Sequence, residues 1–327
     1  MGLLINGQWV NQWYETKSHG GKFLREDSTI RNWITPDGAP GPSGKGGFKT
    51  ETGRYHLYVS LACPWAHRTL IFRKLKNLEK HISISIVSPE MLQHGWTFCV
   101  SEGSTGDEVN HASYLYEIYI ANDSKYTGRV TVPVLWDQET RVIVNNESSD
   151  IIRMFNQSFN SITQSAKDYY PQNLQSAIDK INEYVCKNVN NGVYSCGFAT
   201  SQRAYESAYK CLFKTLDRIE SILRKKRYLL GDTITEADWR LFTTLIRFDT
   251  VYYSHFKCNR QRIEDYPNIS EYLRELYQRP GVSETVNFYH IKRHYYYSHS
   301  MINPTQIVPL GPEIDFLRPF NRCMTHK

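Results

Sequence analysis

Cys63 is the residue of this chain whose position best suits chemistry. It follows an apolar run at 55–60 that predicts a buried strand, and it precedes Pro64 and a helical pattern over 64–78. Proline is favoured at the first position of a helix. We therefore expect Cys63 at the helix N-terminus, where free N–H groups and the helix dipole favour a thiolate. The alternative is that Cys63 is a small buried apolar residue, but its position at the start of a helix favours a reactive sulfur.

The other cysteines do not provide a partner for Cys63 at redox-motif spacing. The chain has 7 cysteines, at positions 63, 99, 186, 196, 211, 258 and 323, and no pair has CxxC spacing. An odd number without a dense framework favours a reducing compartment and speaks against structural disulfides or a zinc site. A mixed disulfide formed at Cys63 would therefore need an external thiol to resolve it.

Histidines on and after the last predicted helix, at 282–297, form a further group that suggests metal ligands. His290 and His294 are four residues apart, and His299 follows them. No glutamate completes an HExxH pattern, so we interpret these histidines as packing or surface residues and predict no metal site.

The elements around Cys63 predict an α/β thioredoxin-like domain. Isoleucines alternate with serines at 82–87, as in a strand with two different faces. A long stretch near 89–126 interrupts the pattern and is predicted to be an insertion. The predicted strands and helices lie, in chain order, at 55–60 (strand), 64–78 (helix), 82–87, 132–136 and 141–144 (strands), and from Ser148 onward (helix). The order β-α-β, then the predicted insertion, then β-β-α is that of the thioredoxin fold.

From about residue 170 the chain predicts helices, with apolar residues at helical spacing. The stretch 192–198 is bounded by glycines and is predicted to be a loop that carries Tyr194. Thr235 and Asp238 are spaced as a cap at the start of a further helix. We expect an N-terminal arm that packs on the body (1–53), a thioredoxin-like domain (54–157), an all-helical domain (170–297) and a C-terminal tail (298–327).

Charge and hydropathy exclude several classes of function. The formal net charge is +6, but the basic residues are scattered, and the densest run, at 224–227, ends a predicted helix. We therefore predict no nucleic-acid partner. No apolar run approaches the length of a membrane span, and residues 1–6 do not resemble a signal peptide or a myristoylation site. A cytoplasmic protein without a membrane partner is expected.

Four motifs in order along the chain resemble those of a known family. They are CPWAHR at 63–68, TVPV at 131–134, NNESS at 145–149 and GVYSCGFA at 192–199. A thioredoxin-like domain followed by an all-helical domain is the layout of the cytosolic glutathione transferases. The motifs resemble their Xi class, the glutathionyl-hydroquinone reductases, and the resemblance covers nearly the whole chain.

The resemblance implies a glutathione site on the thioredoxin-like domain. Val132, before a cis Pro133, would pair through its backbone with the cysteinyl part of glutathione, although Pro133 could equally be an ordinary edge-strand proline. Glu147 and Ser148 would hold the γ-glutamyl ammonium and carboxylate at a helix start, unless Ser148 or Ser149 is simply the helix cap. The further implied glutathione contacts are Trp96, Arg129, Val130 and Thr131. Arg129 could act there as a carboxylate clamp, and the alternative is that it is a surface charge.

Three tyrosines complete the site that the resemblance implies. Tyr194 would be the proton donor and acceptor on the aromatic substrate, while Tyr252 and Tyr295 would approach the catalytic sulfur and stabilise its thiolate. Tyr253 adjoins Tyr252, and Tyr296–Tyr297 adjoin Tyr295, so the sequence leaves open which of each group points into the site. The alternative for each is packing with its hydroxyl at the surface.

The predicted activity is reduction of glutathionyl-hydroquinones to hydroquinones through a Cys63–glutathione mixed disulfide. Glutathione is the expected co-substrate, no cofactor is expected to be tightly bound, and a homodimer is implied by the resemblance. A conventional transferase would activate glutathione through a Ser or Tyr hydroxyl, which Cys63 argues against. An omega-like thioltransferase or dehydroascorbate reductase is chemically close and differs only in substrate. A non-enzymatic binding protein with this fold would need none of Cys63, Glu147 and Tyr194.

Overall fold

The computed structural model describes residues 2–100 and 103–322 of the chain. It separates into two compact units, and the chain passes between them several times. The first unit contains the residues up to Trp13, Glu26–Lys167 and Glu284–Ser300; the second contains Tyr14–Arg25, Asp168–Ser283 and the residues from Met301 onward. Among the described residues, no helix is both long enough and apolar enough to span a membrane.

The elements are numbered in chain order. The strands are β1 (Leu3–Ile5), β2 (Gln8–Val10), β3 (Tyr55–Val59), β4 (Ile82–Ile86), β5 (Gly128–Arg129), β6 (Val134–Asp137) and β7 (Val142–Asn145). The α-helices are α1 (Pro64–Leu75), α2 (Leu115–Asn122), α3 (Ser148–Gln157), α4 (Asn160–Thr163), α5 (Gln175–Val185), α6 (Gly192–Gly197), α7 (Gln202–Leu223), α8 (Glu236–Arg247), α9 (Pro267–Tyr277) and α10 (Phe288–Lys292).

A four-stranded mixed sheet forms the centre of the first unit. Its strand order is β4-β3-β6-β7, with β3 and β4 parallel and the other neighbouring pairs antiparallel. Every residue of β3 is buried, as expected for an inner strand covered on both faces. Helices α1 and α3 pack against each other. Since α1 follows β3 and α3 follows β7, the first turns of both helices come shortly after strands of this sheet.

Helix α2 lies within the stretch that the sequence predicted to be an insertion. It contacts β7, and its buried residues are Leu115, Ile118 and Tyr119. Its N-terminus carries a capping box in which the Glu117 carboxylate accepts the Tyr114 N–H at 3.0 Å. The stretch predicted to be an insertion therefore contains a capped, partly buried helix that contacts β7 of the four-stranded sheet. The i, i+3, i+4 apolar spacing was the signal that would have revealed this short helix.

The N-terminal residues form a second, smaller sheet in the first unit. Its strand order is β2-β1-β5, with the turn between β1 and β2 made by Asn6 and Gly7 at positive φ, the conformation that favours Asn-Gly in tight hairpins. Leu4 of β1 is fully buried. Residues 2–10 are thus joined to β5, the strand immediately before the cis proline segment.

A segment near the C-terminus also belongs to the first unit. The sequence predicted one helix over 282–297, whereas the structure has a 3₁₀ turn at Ser283–Thr285, then α10, then a π-helical turn at Arg293–Tyr297. Polar contacts fix this segment to the residues around α1 and after β4. His67 Nε2 and Thr285 Oγ1 are 2.8 Å apart, Arg293 forms an ion pair with Glu90, and the Met91 N–H donates to Ser298 Oγ at 3.0 Å.

The second unit is helical, with α5 to α9 as its main elements. Helix α8 begins with the predicted cap: the Thr235 N–H donates to the buried Asp238 carboxylate at 2.8 Å, and the Tyr272 O–H donates to the same carboxylate at 2.9 Å. Burial raises the pKa of Asp238. Because that cost of burial is offset by several hydrogen bonds, the group fixes the junction of α8 and α9.

Candidate active site

Cys63 occupies the N-terminal cap of α1, as the sequence predicted. Pro64 is the first helical residue, and the Cys63 backbone is extended, with φ −74° and ψ 123°. The side chain is half-buried, and its Sγ lies 3.7 Å from the Val132 carbonyl oxygen. The cysteine sulfur therefore meets the segment before Pro133 at the positive end of a helix, a setting that stabilises a thiolate.

The segment that faces Cys63 is held from behind by α2. The Val132–Pro133 peptide bond is cis, and Val130 and Val132 are buried. The Tyr119 O–H donates to the Thr131 carbonyl at 2.9 Å. Burial raises the pKa of Tyr119 to about 12, which keeps this donor protonated. Within the described residues, the Val132 N–H makes no hydrogen bond, so it can pair with an extended ligand strand.

The start of α3 lies beside this segment, and the alternative that Ser148 or Ser149 caps it does not hold. The N-cap is Glu147 rather than Ser148 or Ser149: its Oε1 accepts the Ser149 N–H at 2.9 Å. The Ser148 O–H donates to the same oxygen at 3.4 Å. Glu147 itself is placed by its N–H, which donates to Asn145 Oδ1 at 2.7 Å. A carboxylate and a hydroxyl are thus fixed at a helix N-terminus.

A buried arginine that the sequence interpretation did not single out joins α1 to this point. Arg68 is 3% exposed, its guanidinium lies 4.5 Å from the Trp65 ring, and its Nη1 is 3.5 Å from Ser148 Oγ. The positions 63, 65 and 68 lie within the first turns of one helix. The CPWAHR motif therefore supplies a sulfur, an aromatic face and a cation on α1, and the cation lies against the start of α3.

Trp96 and Tyr295 both contact one histidine. The His294 ring stacks on Trp96 with centroids 4.7 Å apart and lies edge-on to Tyr295 at 5.1 Å. Tyr295 is 1% exposed and also contacts His299 edge-on at 5.5 Å. These histidines pack against aromatic rings, and no group of side chains in the described parts of the chain could hold a metal ion.

Arg129, a predicted glutathione contact, also contacts the N-terminal residues. Its guanidinium donates to the carbonyl oxygens of Gln12 at 2.5 Å and Trp13 at 3.3 Å, and its Nε lies 3.9 Å from the Glu26 carboxylate. Only 10% of its side chain is exposed. The guanidinium therefore ties the N-terminal residues to the segment that leads to Pro133.

In the second unit, Tyr194 lies on α6 rather than in a loop. Gly197 is the last residue of this helix, and its lack of a Cβ lets Phe256 pack against it, since a Cβ there would lie 2.2 Å from Phe256 Cγ. The Tyr194 ring is 6.0 Å from that of Tyr252 and 5.4 Å from that of Phe256. Tyr252 is fully buried and stacks on Phe256 at 5.4 Å. Of the pair 252–253, Tyr252 is the one grouped with Tyr194.

The predicted site residues thus lie in separate sets of contacts, several in the first unit and one in the second. In the first, Cys63 lies against Val132, Glu147 lies beside Ser148, and Trp96 and Tyr295 share His294. In the second, Tyr194 and Tyr252 share Phe256. The sequence interpretation missed the groups that hold these residues, namely Arg68, Tyr119, Phe256 and the role of His294. Arg68 was within a motif and therefore detectable, whereas Tyr119, Phe256 and His294 act across long stretches of sequence.

The fold and the site define a class. A thioredoxin-like sheet with a cis proline opposite a helix-capping cysteine, combined with a helical unit, is the architecture of glutathione transferases. The model of the glutathione S-transferase N-terminal domain matches residues 62–158, and that of the C-terminal domain matches residues 202–275. The predicted fold class, an α/β thioredoxin-like domain followed by an all-helical transferase domain, is therefore confirmed.

Comparison with individual relatives shows which group of glutathione transferases the chain resembles in sequence and structure. The chain is 57% identical to glutathionyl-hydroquinone reductase YqjG of Escherichia coli over 98% of both chains, and 50% identical to glutathionyl-hydroquinone reductase PcpF of Sphingobium chlorophenolicum over 95% of this chain and 96% of that one. A glutathione-bound structure of YqjG superimposes with a TM-score of 0.91 at 54% identity, covering 98% of this chain and 99% of that one. A Xi-class transferase from Natrialba magadii gives 0.90 at 45%, covering 98% and 96%. The chain belongs to the glutathionyl-hydroquinone reductases, the Xi class of glutathione transferases.

Proposed function

We propose that this protein reduces glutathionyl-hydroquinones to hydroquinones at the expense of glutathione. The observation that carries the proposal is the position of Cys63, a half-buried sulfur at a helix N-terminus, 3.7 Å from the carbonyl of the residue before a cis proline. A cysteine there forms and breaks disulfides with a bound thiol, whereas a serine or tyrosine would only polarise it. The family to which the chain belongs points to the same reaction.

The first half-reaction breaks the carbon–sulfur bond of the substrate. Tyr194 donates a proton to the ring carbon that carries the sulfur and takes one from a ring hydroxyl, which gives a keto tautomer. The Cys63 thiolate then attacks the thioether sulfur. The electron pair of the carbon–sulfur bond passes to the ring, which leaves as the phenolate of the hydroquinone and takes up a proton. Cys63 is left as a mixed disulfide with glutathione.

The second half-reaction restores the enzyme. A second glutathione, as its thiolate, attacks the glutathione sulfur of the mixed disulfide and forms oxidised glutathione, while the electron pair returns to Cys63 Sγ. One substrate molecule and one glutathione thus yield one hydroquinone and one oxidised glutathione. The ring carbon is reduced by two electrons, and two sulfurs are oxidised to a disulfide.

The remaining site residues bind and orient the tripeptide. The Val132 N–H and C=O pair with its cysteinyl part, and Glu147 and Ser148 hold its γ-glutamyl ammonium and carboxylate at the start of α3. Trp96 packs against it, and Tyr252 and Tyr295 stabilise the Cys63 thiolate. Arg129, Val130 and Thr131 directly precede Val132 and are proposed to contact glutathione at the edge of its site. No tightly bound cofactor takes part.

Turnover of a glutathionyl-hydroquinone with glutathione tests the reaction. Hydroquinone release and oxidised glutathione are measured by chromatography for the wild type, Cys63→Ser and Cys63→Ala, and mass spectrometry of the wild type mixed with substrate alone follows the mixed disulfide. We expect one bound glutathione on Cys63 and turnover that disappears in both variants. Cys211→Ser is the matched control, because Cys211 is an exposed cysteine on α7.

Two outcomes would contradict the proposal. Wild-type turnover in Cys63→Ser would remove the nucleophile assigned here. A wild type that fails on glutathionyl-hydroquinones but reduces mixed disulfides or dehydroascorbate would identify an omega-like thioltransferase. The control has an outcome of its own. A folded Cys211→Ser variant without activity would show that replacing another cysteine also stops turnover, so the loss in the Cys63 variants would not by itself identify the nucleophile.

We also propose that the protein works as a homodimer in the cytoplasm. The reaction consumes reduced glutathione, which a reducing compartment supplies, and closed dimers are the commonest assemblies of soluble enzymes. Light scattering coupled to size-exclusion chromatography measures the assembly, and a monomeric mass at micromolar concentration would contradict the dimer.

A further inference from the structure

His294 lies at the centre of an aromatic group in the first unit. Its ring is nearly parallel to the Trp96 ring, with an interplanar angle of 22° and a centroid distance of 4.7 Å. Its edge meets Tyr295 at 5.1 Å and an angle of 75°. The three side chains are at least nine-tenths buried. One flat ring thus lies against the two aromatic side chains that the proposed function assigns to glutathione binding and to thiolate stabilisation.

The orientation of the His294 ring is fixed by the backbone. Its Nδ1 lies 3.1 Å from the Pro89 carbonyl oxygen. Since a carbonyl oxygen can only accept, Nδ1 carries the proton. Pro89 begins the stretch that leads to Trp96, so the histidine is attached by a hydrogen bond to the beginning of that stretch and by ring stacking to its end.

Neighbouring contacts hold the same two stretches together without involving the rings. Arg293 forms an ion pair with Glu90, and Ser298 accepts the Met91 N–H at 3.0 Å. The Ser88 N–H donates to the Thr97 carbonyl at 2.8 Å, which closes the loop that carries Trp96. Residues 88–97 and 293–298 are therefore held together by contacts other than those of His294. His294 differs from these contacts because its ring touches both Trp96 and Tyr295.

We propose that His294 is a positioning residue for the reaction, because its ring fixes the faces that Trp96 and Tyr295 present to glutathione and to Cys63. This inference rests on the proposed function. Stacked and edge-on aromatic pairs have preferred geometries, so a flat ring at position 294 holds both neighbours in one arrangement. Without it, both side chains would gain freedom, and misplacement by about 1 Å can reduce a rate by about 100-fold.

Three substitutions separate the ring from its hydrogen bond. His294→Phe keeps a flat ring and loses the Nδ1–H donor; His294→Asn keeps a donor at nearly the same place and loses the ring; His294→Ala loses both. Glu90→Gln is the matched control, since it weakens the ion pair at the same junction without touching the rings. The measurements are kcat and KM with a glutathionyl-hydroquinone, the affinity for glutathione, and the rate at which iodoacetamide alkylates Cys63 as a function of pH.

We expect kcat/KM to fall by about 10- to 100-fold in His294→Ala and His294→Asn, with weaker glutathione binding and with Cys63 alkylation shifted to higher pH. His294→Phe should recover most of both losses, and Glu90→Gln should show neither. Rescue by Asn but not by Phe would overturn the proposal, as would a set of variants that all behave like Glu90→Gln. If the wild type lacks the activity altogether, the proposed function fails, while alkylation and glutathione affinity still report on His294. If His294→Ala does not fold, the comparison of Phe with Asn decides.

Discussion

Glu147 combines a structural contact with the contact proposed for glutathione. One of its oxygens, Oε1, accepts hydrogen bonds from the Ser149 N–H and the Ser148 O–H and so caps α3. A carboxylate at this end of a helix is also favoured by the helix dipole. The proposed function adds the ammonium group of glutathione as a third partner. These contributions are separable, because a cap needs an acceptor oxygen, whereas an ammonium ion prefers a charged one.

Replacing Glu147 by Gln and by Ala should therefore give different results. Glu147→Gln keeps an acceptor oxygen, so we expect nearly unchanged stability and glutathione affinity weaker by about 5- to 30-fold, the equivalent of about 1–2 kcal/mol. Glu147→Ala should also lose about 1 kcal/mol of stability with the cap. Urea unfolding and calorimetric titration with glutathione in a Cys63→Ser background measure the two effects. Unchanged affinity in Glu147→Gln would refute the ammonium contact.

The burial of His56 should make the stability of the protein depend on pH. This residue of β3 is 2% exposed and bridges two serines of β4, with Nδ1 2.7 Å from Ser83 Oγ and Nε2 2.9 Å from Ser85 Oγ. Burial lowers its pKa to about 4. The unfolded chain, with a histidine pKa of about 6.5, therefore binds the proton first as pH falls.

We expect the free energy of unfolding to be highest above about pH 6.5 and to fall by up to about 1.4 kcal/mol per pH unit between about pH 6.5 and about pH 4, a total of about 3 kcal/mol from His56. Burial also lowers the pKa of His255 to about 4, so this residue adds a slope of the same sign. Urea unfolding across this range should give a shallower slope for His56→Gln than for the wild type. An equal slope in both would show that His56 titrates normally.

At the scale of single residues, the sequence predicts what neighbours along the chain determine. Cys63 next to Pro64, and Thr235 three residues before Asp238, are local signals of helix starts, and the structure has both. The sequence left open whether Ser148 or Ser149 caps α3, and the structure has Glu147 there, since all three residues carry acceptor oxygens and only the backbone geometry selects one. His294 could not be understood from the sequence, because its partner Trp96 is about two hundred residues away.

Helix α6 illustrates what a glycine can mean within an element. Gly197 is buried at its end, where a Cβ would lie 2.2 Å from Phe256 Cγ, whereas a Cβ on Gly192 at its start would meet only Leu212 at 3.7 Å. Neither residue has a positive φ. The two positions therefore differ only in the room available for a Cβ atom. Replacing glycine by alanine should accordingly destabilise the protein at position 197 and not at position 192.

We expect Gly197→Ala to destabilise the protein by about 1–3 kcal/mol, because Phe256 must move. Since Phe256 stacks on Tyr252 and meets Tyr194, kcat should fall as well. Gly192→Ala is the control and should be neutral or stabilising by about 0.5–1 kcal/mol, as alanine is favoured over glycine in helices. Thermal unfolding and turnover measure both. Equal stability changes in the two variants would disprove the packing argument.

The elements that the sequence missed are short ones whose stability comes from packing. Strands β1, β2 and β5 have three, three and two residues, too few for an alternating pattern to stand out. Helix α2 has only 8 residues; its buried residues have helical spacing, but its tyrosines and isoleucines suit a strand as well as a helix, so the signal is weak. In contrast, β3, β4, α1 and α7 were recognisable because their apolar pattern continues for five residues or more.

At the scale of the whole molecule, the first unit gathers three distant parts of the chain. Residues up to Trp13 and Glu284–Ser300 join the sheet domain, while Tyr14–Arg25 belongs to the second unit. Such long-range association leaves no periodic signal in a sequence. Arg129 is the contact that makes the N-terminal part testable, because its guanidinium donates to two backbone carbonyls of that part.

Two interpretations of Arg129 lead to different results in a double-mutant cycle. If the guanidinium only holds the N-terminal residues, it has nothing left to bind once residues 2–13 are removed. If it is a carboxylate clamp, it still binds glutathione in the shortened chain. We compare Arg129→Ala in the full chain and in a chain without residues 2–13. If the main role of Arg129 is to hold the N-terminal residues, Arg129→Ala in the full chain should lower the free energy of unfolding by about 1–3 kcal/mol. It should also speed hydrogen exchange in β1.

In the shortened chain the same substitution should then change stability by less than about 0.5 kcal/mol, because the two changes remove one interaction. The KM for glutathione separates the clamp from the tether. An increase caused by Arg129→Ala that persists in the shortened chain would assign the guanidinium to the ligand, since no arm would remain for it to hold. An increase that disappears there would mean that Arg129 serves glutathione only by fixing the arm to β5, the strand that leads to Val132 and Pro133.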